Sequence, residues 1–260
     1  MIYNWEKLND KNHPIKKQII AEWNLLLLNK KNKEQHYHKF IADYAGFLVP
    51  PYWVSNMVLS KIRLGSEFET DFVFLHDKAS LGFTYELIEI ESPHSPPYTK
   101  RGDPSARLTH AIQQVQNWMV WLNSYPRQAK KLFSGTTFDD SPSFVYTVVI
   151  GTRENSKLWL DRRNQFAKQT NISVRSFDWF SDLVAHKLHV NRMTGSSELE
   201  HLPHDVSNAM ANPFTKAVSH KQWVDFNRKI HLSGHGIARN VELIIKLRQH
   251  NDLFEQFKKL

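Results

Sequence analysis

The spacing of apolar residues along the chain changes between two periods. They recur every three or four positions in residues 13–29 and 34–44, which predicts two amphipathic helices at the start. Short β-branched and aromatic runs follow, and we predict strands over residues 52–59, 67–75 and 83–91. The first third of the chain therefore predicts two helices followed by strands.

The middle of the chain alternates helices and strands. In residues 105–122 the apolar residues Leu108, Ala111 and Val115 belong to one helical stripe. Residues 144–150 are almost wholly apolar, which is typical of a strand covered on both faces. We predict a helix over residues 157–169, a strand over 172–177 and a further helix capped by Asp178. This order predicts a layered α/β fold.

The length of the chain allows one large domain, or one domain with an appended helical part. It has 260 residues, of which 41% are hydrophobic, so a substantial core can form. We divide it into an N-terminal helix at 1–33, a core domain at 34–190 and a C-terminal helical extension at 191–260. The extension begins with a polar stretch, 191–212, and continues with helical segments at 216–230 and 237–260.

The amino-acid composition limits which cellular compartment and which type of binding partner we expect. There is no cysteine, which excludes disulfides and thiolate metal sites and fits a reducing cytoplasm. Residues 1–10 are polar and the apolar run 25–28 is short, so we expect neither a signal peptide nor a membrane partner. The net charge of +8 favours a polyanion such as nucleic acid, although a merely basic surface would give the same value.

Candidate chemistry concentrates in residues 86–93. Glu89 and Glu91 are two apart on a predicted strand, so they project to one face. Buried carboxylates are costly unless positive charge balances them, and a hairpin would add Asp71 from the preceding strand. Three carboxylates suit Mg²⁺ or Mn²⁺; the alternative is an exposed edge strand with solvated acids. Glu86 points to the other face, where we expect a surface position or a lysine partner.

The order of these residues resembles the PD-(D/E)XK nuclease core and, more closely, the Shedu anti-phage nuclease family. That family has a strand reading roughly Leu-Val-Glu-Leu-Lys-Arg-Pro, and residues 87–93 read Leu-Ile-Glu-Ile-Glu-Ser-Pro. Its next helix carries Ala-x-x-Gln-x-x-x-aromatic, matched by Ala111, Gln114 and Trp118. The resemblance covers residues 34–187.

The resemblance implies a fold and an activity. The fold would be a three-layer α/β/α restriction-endonuclease-like sandwich with a mixed sheet and extra N- and C-terminal helices. The protein would be a magnesium-dependent DNA endonuclease of bacterial defence, a nickase or double-strand cutter, and a homo-oligomer. Asp71, Glu89 and Glu91 would bind the metal, and Gln114 would hold the water or a phosphate. Gln114 is equally explained as an ordinary polar helix residue.

One position departs from the family pattern. Glu91 stands where the catalytic lysine usually lies, and that lysine would orient water and stabilise developing charge. A glutamate can bind metal instead, and Lys100 is a candidate for a relocated lysine. The departure motivates an alternative, a weakened nuclease-fold protein that binds DNA or DNA ends without cutting. A structural, partner-binding protein is the third hypothesis.

Further residues are weaker candidates. Glu34 and Glu67 are possible additional acids of the site. Glu67 would lie on the same strand face as Asp71, and Glu34 is equally explained as a helix N-terminal acid favoured by the helix dipole. Basic residues could contact DNA phosphates or form a solvated face. These are Lys100, Arg101 and Arg107 near the proposed site, and Arg153, Arg162 and Arg163 further along the chain.

Overall fold

A computed structural model describes residues 11–12, 14–44, 57–77, 83–133, 142–156 and 159–186. The predictions for residues 52–56 and for the C-terminal extension lie outside the described residues. The helices are α1 (Pro14–Leu28), α2 (Glu34–Asp43), α3 (Ala106–Ser124), α4 (Pro126–Leu132), α5 (Arg153–Ser156), α6 (Leu160–Thr170) and α7 (Asp178–His186). The strands are β1 (Met57–Ser60), β2 (Arg63–Leu64), β3 (Phe68–Glu69), β4 (Phe72–Asp77), β5 (Phe83–Ile90), β6 (Ser143–Val149) and β7 (Ile172–Arg175).

The five longer strands form one mixed sheet in the order β1-β4-β5-β6-β7. β1, β4 and β5 are antiparallel neighbours, whereas β6 and β7 run parallel to β5 and to each other. Parallel neighbours require crossover connections, and α3 and α6 lie in the two crossovers. The predicted α/β class and the mixed sheet are confirmed.

Hydrophobic clusters cover both faces of this sheet. One face contributes Val73, Leu87 and Val148, and packs against α3. The opposite face contributes Phe72 and Ile88, and packs against α1, α2 and α7. Successive strand residues alternate between the two clusters because side chains along a strand point to opposite faces. Helix α1 therefore shares a core with the sheet.

Helix α3 positions one wall of the site, and its start is set by a capping residue. The Oγ of Ser105 accepts a hydrogen bond from the backbone N–H of Leu108 at 3.3 Å. The predicted apolar stripe is buried, with Ala111, Val115 and Trp118 inaccessible to solvent. The strand and helix predictions for residues 83–91 and 105–122 are confirmed within two residues at each end.

The predicted strand over residues 67–75 is confirmed only in part. It is interrupted at Thr70–Asp71, and Glu67 lies in the turn between β2 and β3. Gly65 opens that turn with φ +66°, and a Cβ there would lie 2.9 Å from Nε1 of Trp121. The prediction that placed Glu67 on the same strand face as Asp71 is therefore wrong.

The predicted cap of the last described helix is also wrong. α7 begins at Asp178 itself, and Oδ2 of Asp178 accepts a hydrogen bond from the backbone N–H of Arg153 at 2.5 Å. The carboxylate thus connects α7 to α5. None of the described helices is both long enough and apolar enough to cross a membrane.

Candidate functional site

The β4–β5 hairpin brings Asp71 beside the acidic strand end. Phe72 pairs with Ile88, so the preceding residue, Asp71, lies next to Glu89 on the neighbouring strand. The Oδ2 of Asp71 accepts a hydrogen bond from the backbone N–H of Ile90 at 2.9 Å. The carboxylate of Asp71 is therefore buried in a fixed orientation at the end of β5.

Glu89 is a buried acid of this group, and one of its carboxylate oxygens has no hydrogen-bond partner. It lies on the sheet face that carries Leu87 and α3, and is 7% exposed. Its Oε2 is buried and has no hydrogen-bond partner. Burial, with the carboxylates of Asp71, Glu91 and Glu34, raises the pKa of Glu89 to about 10. Without an added cation, the Glu89 carboxyl therefore binds a proton at neutral pH.

Glu91 follows β5 directly and faces α3. Its backbone N–H donates to the carbonyl of Val149 at 2.8 Å, which extends the parallel pairing by one residue. Its Oε2 lies 3.4 Å from Nη1 of Arg107, and its Oε1 lies 4.0 Å from Nδ1 of His110. Burial raises the pKa of Glu91, and Arg107 and His110 oppose that rise. The first turns of α3 therefore place the Arg107 guanidinium and the His110 imidazole beside this acid.

Helix α2 adds two groups to the same region. Partial burial raises the pKa of Glu34, and the carboxylates of Asp71 and Glu91 raise it further, so Glu34 lies within their electrostatic reach. The Nε2 of His38 lies 3.2 Å from the carbonyl oxygen of Asp71. Burial and nearby Lys61 lower the pKa of His38, so a neutral imidazole donates to that carbonyl.

Lys61 is the functional candidate that sequence reasoning missed. Its Nζ lies 2.5 Å from Oδ1 of Asp71, and its backbone N–H donates to the Asp71 carbonyl. Burial alone would lower the pKa of Lys61, but the hydrogen bond and charge of Asp71 raise it. The sequence feature that could have indicated this contact is Gly65, which favours a turn. Around this turn β2 and β3 pair, and Lys61 lies opposite Asp71.

With this geometry in place, the comparisons with known proteins identify the family. Residues 31–180, more than half of the chain, match the family described as Shedu protein SduA, C-terminal. The chain belongs to this Shedu family. No curated protein and no solved structure matches it. The matched segment contains the acids Glu34, Asp71, Glu89 and Glu91.

The remaining candidates of the Shedu segment lie on α3 and in the turn before it. Gln114 is half-buried on α3, one turn beyond His110, and its assigned role stays a prediction. Lys100 and Arg101 are exposed in a turn in which the Gly102 N–H donates to the Thr99 carbonyl. Both precede α3 and can be reached from solvent.

Glu86 differs from the prediction made for it. It lies on the opposite sheet face from Glu89, as expected, but it is neither a surface residue nor paired with a lysine. The side chains of His76 and Thr147 donate to its two oxygens at 2.7 and 2.6 Å. Burial would raise the pKa of Glu86, yet these hydrogen bonds lower it overall. Glu86 is therefore an ionised structural group.

The acidic site has the donor chemistry for a hard divalent cation but not a closed coordination shell. Its oxygen ligands and the free Oε2 of Glu89 fit Mg²⁺ or Mn²⁺. However, no three His, Asp or Glu side chains in the described parts of the chain are arranged to hold a metal ion together. Asp71 instead contacts Lys61, and Glu91 contacts Arg107. Binding a cation would require these carboxylates to exchange or share their present partners.

Proposed function

We propose that this Shedu-family protein is a metal-dependent DNA endonuclease of bacterial defence against phage. The observation that carries the proposal is the buried Glu89, which has one oxygen without a partner and whose pKa is raised by the acids Asp71, Glu91 and Glu34. Mutually repelling buried carboxylates destabilise the fold unless a cation balances them. Active sites are where such repulsion is commonly retained.

The fold around the acids supports a restriction-endonuclease-like sandwich. The acids lie at the end of β5, which is central in a mixed sheet with helices on both faces. The helix after β5 covers the face that carries Glu89. This is the order of parts that the PD-(D/E)XK core requires.

Asp71, Glu89 and Glu91 would hold Mg²⁺ or Mn²⁺, which would supply a polarised water for attack and neutralise charge on the phosphate. The chain itself prepares the site in two ways. The Ile90 N–H fixes the direction of the Asp71 carboxylate. Glu89 has a raised pKa and must release its proton to act as an anionic ligand. Gln114 would orient the water or the phosphate from α3.

Lys61 would supply the positive charge that Glu91 cannot. Its ammonium group is bonded to the carboxylate of Asp71 and is half-exposed, so it can also face a bound phosphate. A cation at that place would stabilise negative charge developing on the phosphate oxygens. Arg107 is 63% exposed beside Glu91 and would contact the DNA backbone together with Lys100 and Arg101.

The test compares variants on supercoiled plasmid and linear DNA with Mg²⁺ or Mn²⁺. We expect the wild type to cut and Asp71→Ala and Glu89→Gln to lose at least about a hundredfold in rate. Glu86→Gln is the matched control, because it makes the same chemical change on the same strand but on the opposite face. Equal losses in Glu86→Gln and Glu89→Gln, with both variants shown by thermal melting to be folded at the assay temperature, would contradict the assignment.

A protein that binds DNA or DNA ends without cutting is the second candidate. The pairing of Glu91 with Arg107 and the open arrangement of the acids favour it. It predicts salt-dependent binding that survives Asp71→Ala and Glu89→Gln, with no cutting by any version. No salt-dependent association with DNA would leave the structural, partner-binding hypothesis.

The proposal includes assembly into a homo-oligomer, as the Shedu resemblance implies. Sedimentation at micromolar protein concentration tests it, because the chain has a mass of 30.5 kDa. We expect a multiple of that mass. A species of 30.5 kDa alone would contradict the oligomer without bearing on the nuclease.

A further inference from the structure

A second concave site lies at the β7 edge of the sheet, two strands from β5. It is a cavity of about 380 Å³, within the size range of small-molecule sites. Its walls come from α5, α6, the end of β7 and α7, and it contains none of the acids described above. The lining residues are Arg153, Leu160, Arg163, Arg175, Ser176, Trp179 and Asp182.

The cavity has an excess of positive charge. Three of its lining residues are arginines and one, Asp182, is an acid. Asp182 forms an ion pair with the Nη2 of Arg153, and the charges of these two residues largely cancel. Arg163 and Arg175 are the two remaining cations. An anion is the ligand that this charge distribution favours.

Arg163 is a partly buried cation in the wall of this cavity. Its Nε is buried and has no hydrogen-bond acceptor. Burial lowers the pKa of Arg163, and the charge of Arg175 lowers it further, while Tyr98 opposes the change. Because Nε is closed off from solvent, a phosphate oxygen in the cavity would pair with the outer nitrogens of the Arg163 guanidinium group.

Trp179 gives the cavity an aromatic wall beside these cations. The guanidinium carbon of Arg175 lies 5.7 Å from the centroid of the indole ring. Leu160 adds apolar surface on the α6 side. Aromatic faces stack on nucleobases of any type, so the cavity combines anion-binding donors with a surface for a base.

We propose that this cavity binds a phosphorylated mononucleotide, with the phosphate on Arg163 and Arg175 and the base against Trp179. The volume accommodates a small molecule rather than a DNA duplex, which needs an extended groove. The site does not depend on the acidic cluster, so it stands whether or not the protein cuts DNA.

The test is calorimetric titration of the full chain with deoxyadenosine monophosphate, deoxyadenosine and inorganic phosphate, in chelator at fixed ionic strength. We expect the monophosphate to bind at least about tenfold more tightly than either fragment, because it uses both parts of the cavity. Equal binding of the monophosphate and deoxyadenosine, or no binding of the monophosphate, would overturn the proposal.

Variants connect the binding to the cavity. Arg175 is exposed, so Arg175→Gln should fold normally. We expect both Arg175→Gln and Arg163→Gln to bind the monophosphate about tenfold more weakly than the wild type. Lys168→Gln is the matched control, because it removes one positive charge from exposed α6 surface outside the lining residues. An equal loss in Lys168→Gln would show general charge attraction and overturn the site. Circular dichroism and thermal melting verify folding.

Discussion

The Nζ of Lys61 lies 2.5 Å from Oδ1 of Asp71, and the two residues face each other across the hairpin. The pairing register is constant from Ser60 opposite Phe72 to Leu64 opposite Phe68, so Lys61 lies opposite Asp71. Lys61 has φ +54°, unusual for a residue with a side chain. The hairpin thus holds the Lys61 ammonium group against Oδ1 of Asp71, while the backbone N–H of Ile90 donates to Oδ2 of the same carboxylate.

Replacing Lys61 tests whether this cation acts in the reaction. Lys61→Met should lower the DNA cleavage rate by about a hundredfold or more at saturating Mg²⁺, because charge on the phosphate would lose its nearest counter-charge. Lys61→Arg should recover part of the rate, since it keeps the charge. The measurement is single-turnover cleavage of plasmid DNA.

Arg63→Met is the control for Lys61→Met. Arg63 lies on the same hairpin, two residues away, and its exposed side chain pairs with Glu69. Arg63→Met removes one positive charge, as Lys61→Met does, but at a side chain that does not contact Asp71. If Arg63→Met slows cleavage as much as Lys61→Met, or if Lys61→Met leaves the rate unchanged, Lys61 has no specific role.

Glu89 should make the metal-free protein less stable as pH rises. Its pKa is about 10 in the folded chain against an ordinary value of 4.5, so the folded state binds more protons between these values. The free energy of unfolding should therefore fall by up to about 1.4 kcal/mol per pH unit in that window. Glu89→Gln mimics the protonated acid and should remove this contribution.

Chemical denaturation at pH 5, 6.5 and 8 in chelator measures the effect. The stability of Glu89→Gln relative to wild type should increase with pH. Added Mg²⁺ at pH 8 should stabilise wild type more than the variant, because binding to the native state raises its stability. A stability difference that does not change with pH would contradict the raised pKa of Glu89.

The acidic strand was predictable because its signal is local. Alternation places Glu89 and Glu91 on one face, and the apolar residues around them indicate a buried strand. The hairpin that adds Asp71 follows from two strands separated by a short turn-rich segment. Both predictions rest only on residues that are close together in the sequence, on either side of one turn.

The partners of these acids were less predictable because they depend on register and distant pairing. Thr147 reaches Glu86 across a parallel strand pair, 61 residues later in the chain. Lys61 reaches Asp71 only if the turn begins at Gly65, and a shift by one residue would turn it to the other face. The sequence alone does not fix either of these pairings.

Glu86→Gln should destabilise the protein, opposite in direction to Glu89→Gln. The pKa of Glu86 is lowered in the folded state, so its stabilising contribution is present above pH 4.5 and is lost as pH falls through the folded pKa. We expect a loss of about 1–3 kcal/mol at pH 7, because Gln accepts weaker hydrogen bonds from His76 and Thr147. Denaturation at pH 7 and at successively lower pH values below 4.5 measures it, and a loss that does not shrink as pH falls would contradict an ionised Glu86.

Arg107→Gln should separate metal binding from DNA binding. The Arg107 guanidinium is 3.4 Å from Glu91 and mostly exposed, so its removal frees the carboxylate for a cation and removes one phosphate contact. We expect the Mg²⁺ concentration for half-maximal cleavage to fall about two- to fivefold, since an exposed pair contributes less than about 1 kcal/mol. DNA affinity should weaken, and the slope of log affinity against log salt concentration should decrease in magnitude by about 0.9.

Arg127→Gln, on exposed α4 surface, controls for net charge. If both variants change the salt slope equally and neither changes the Mg²⁺ requirement, Arg107 neither competes with the metal at Glu91 nor contacts the DNA there.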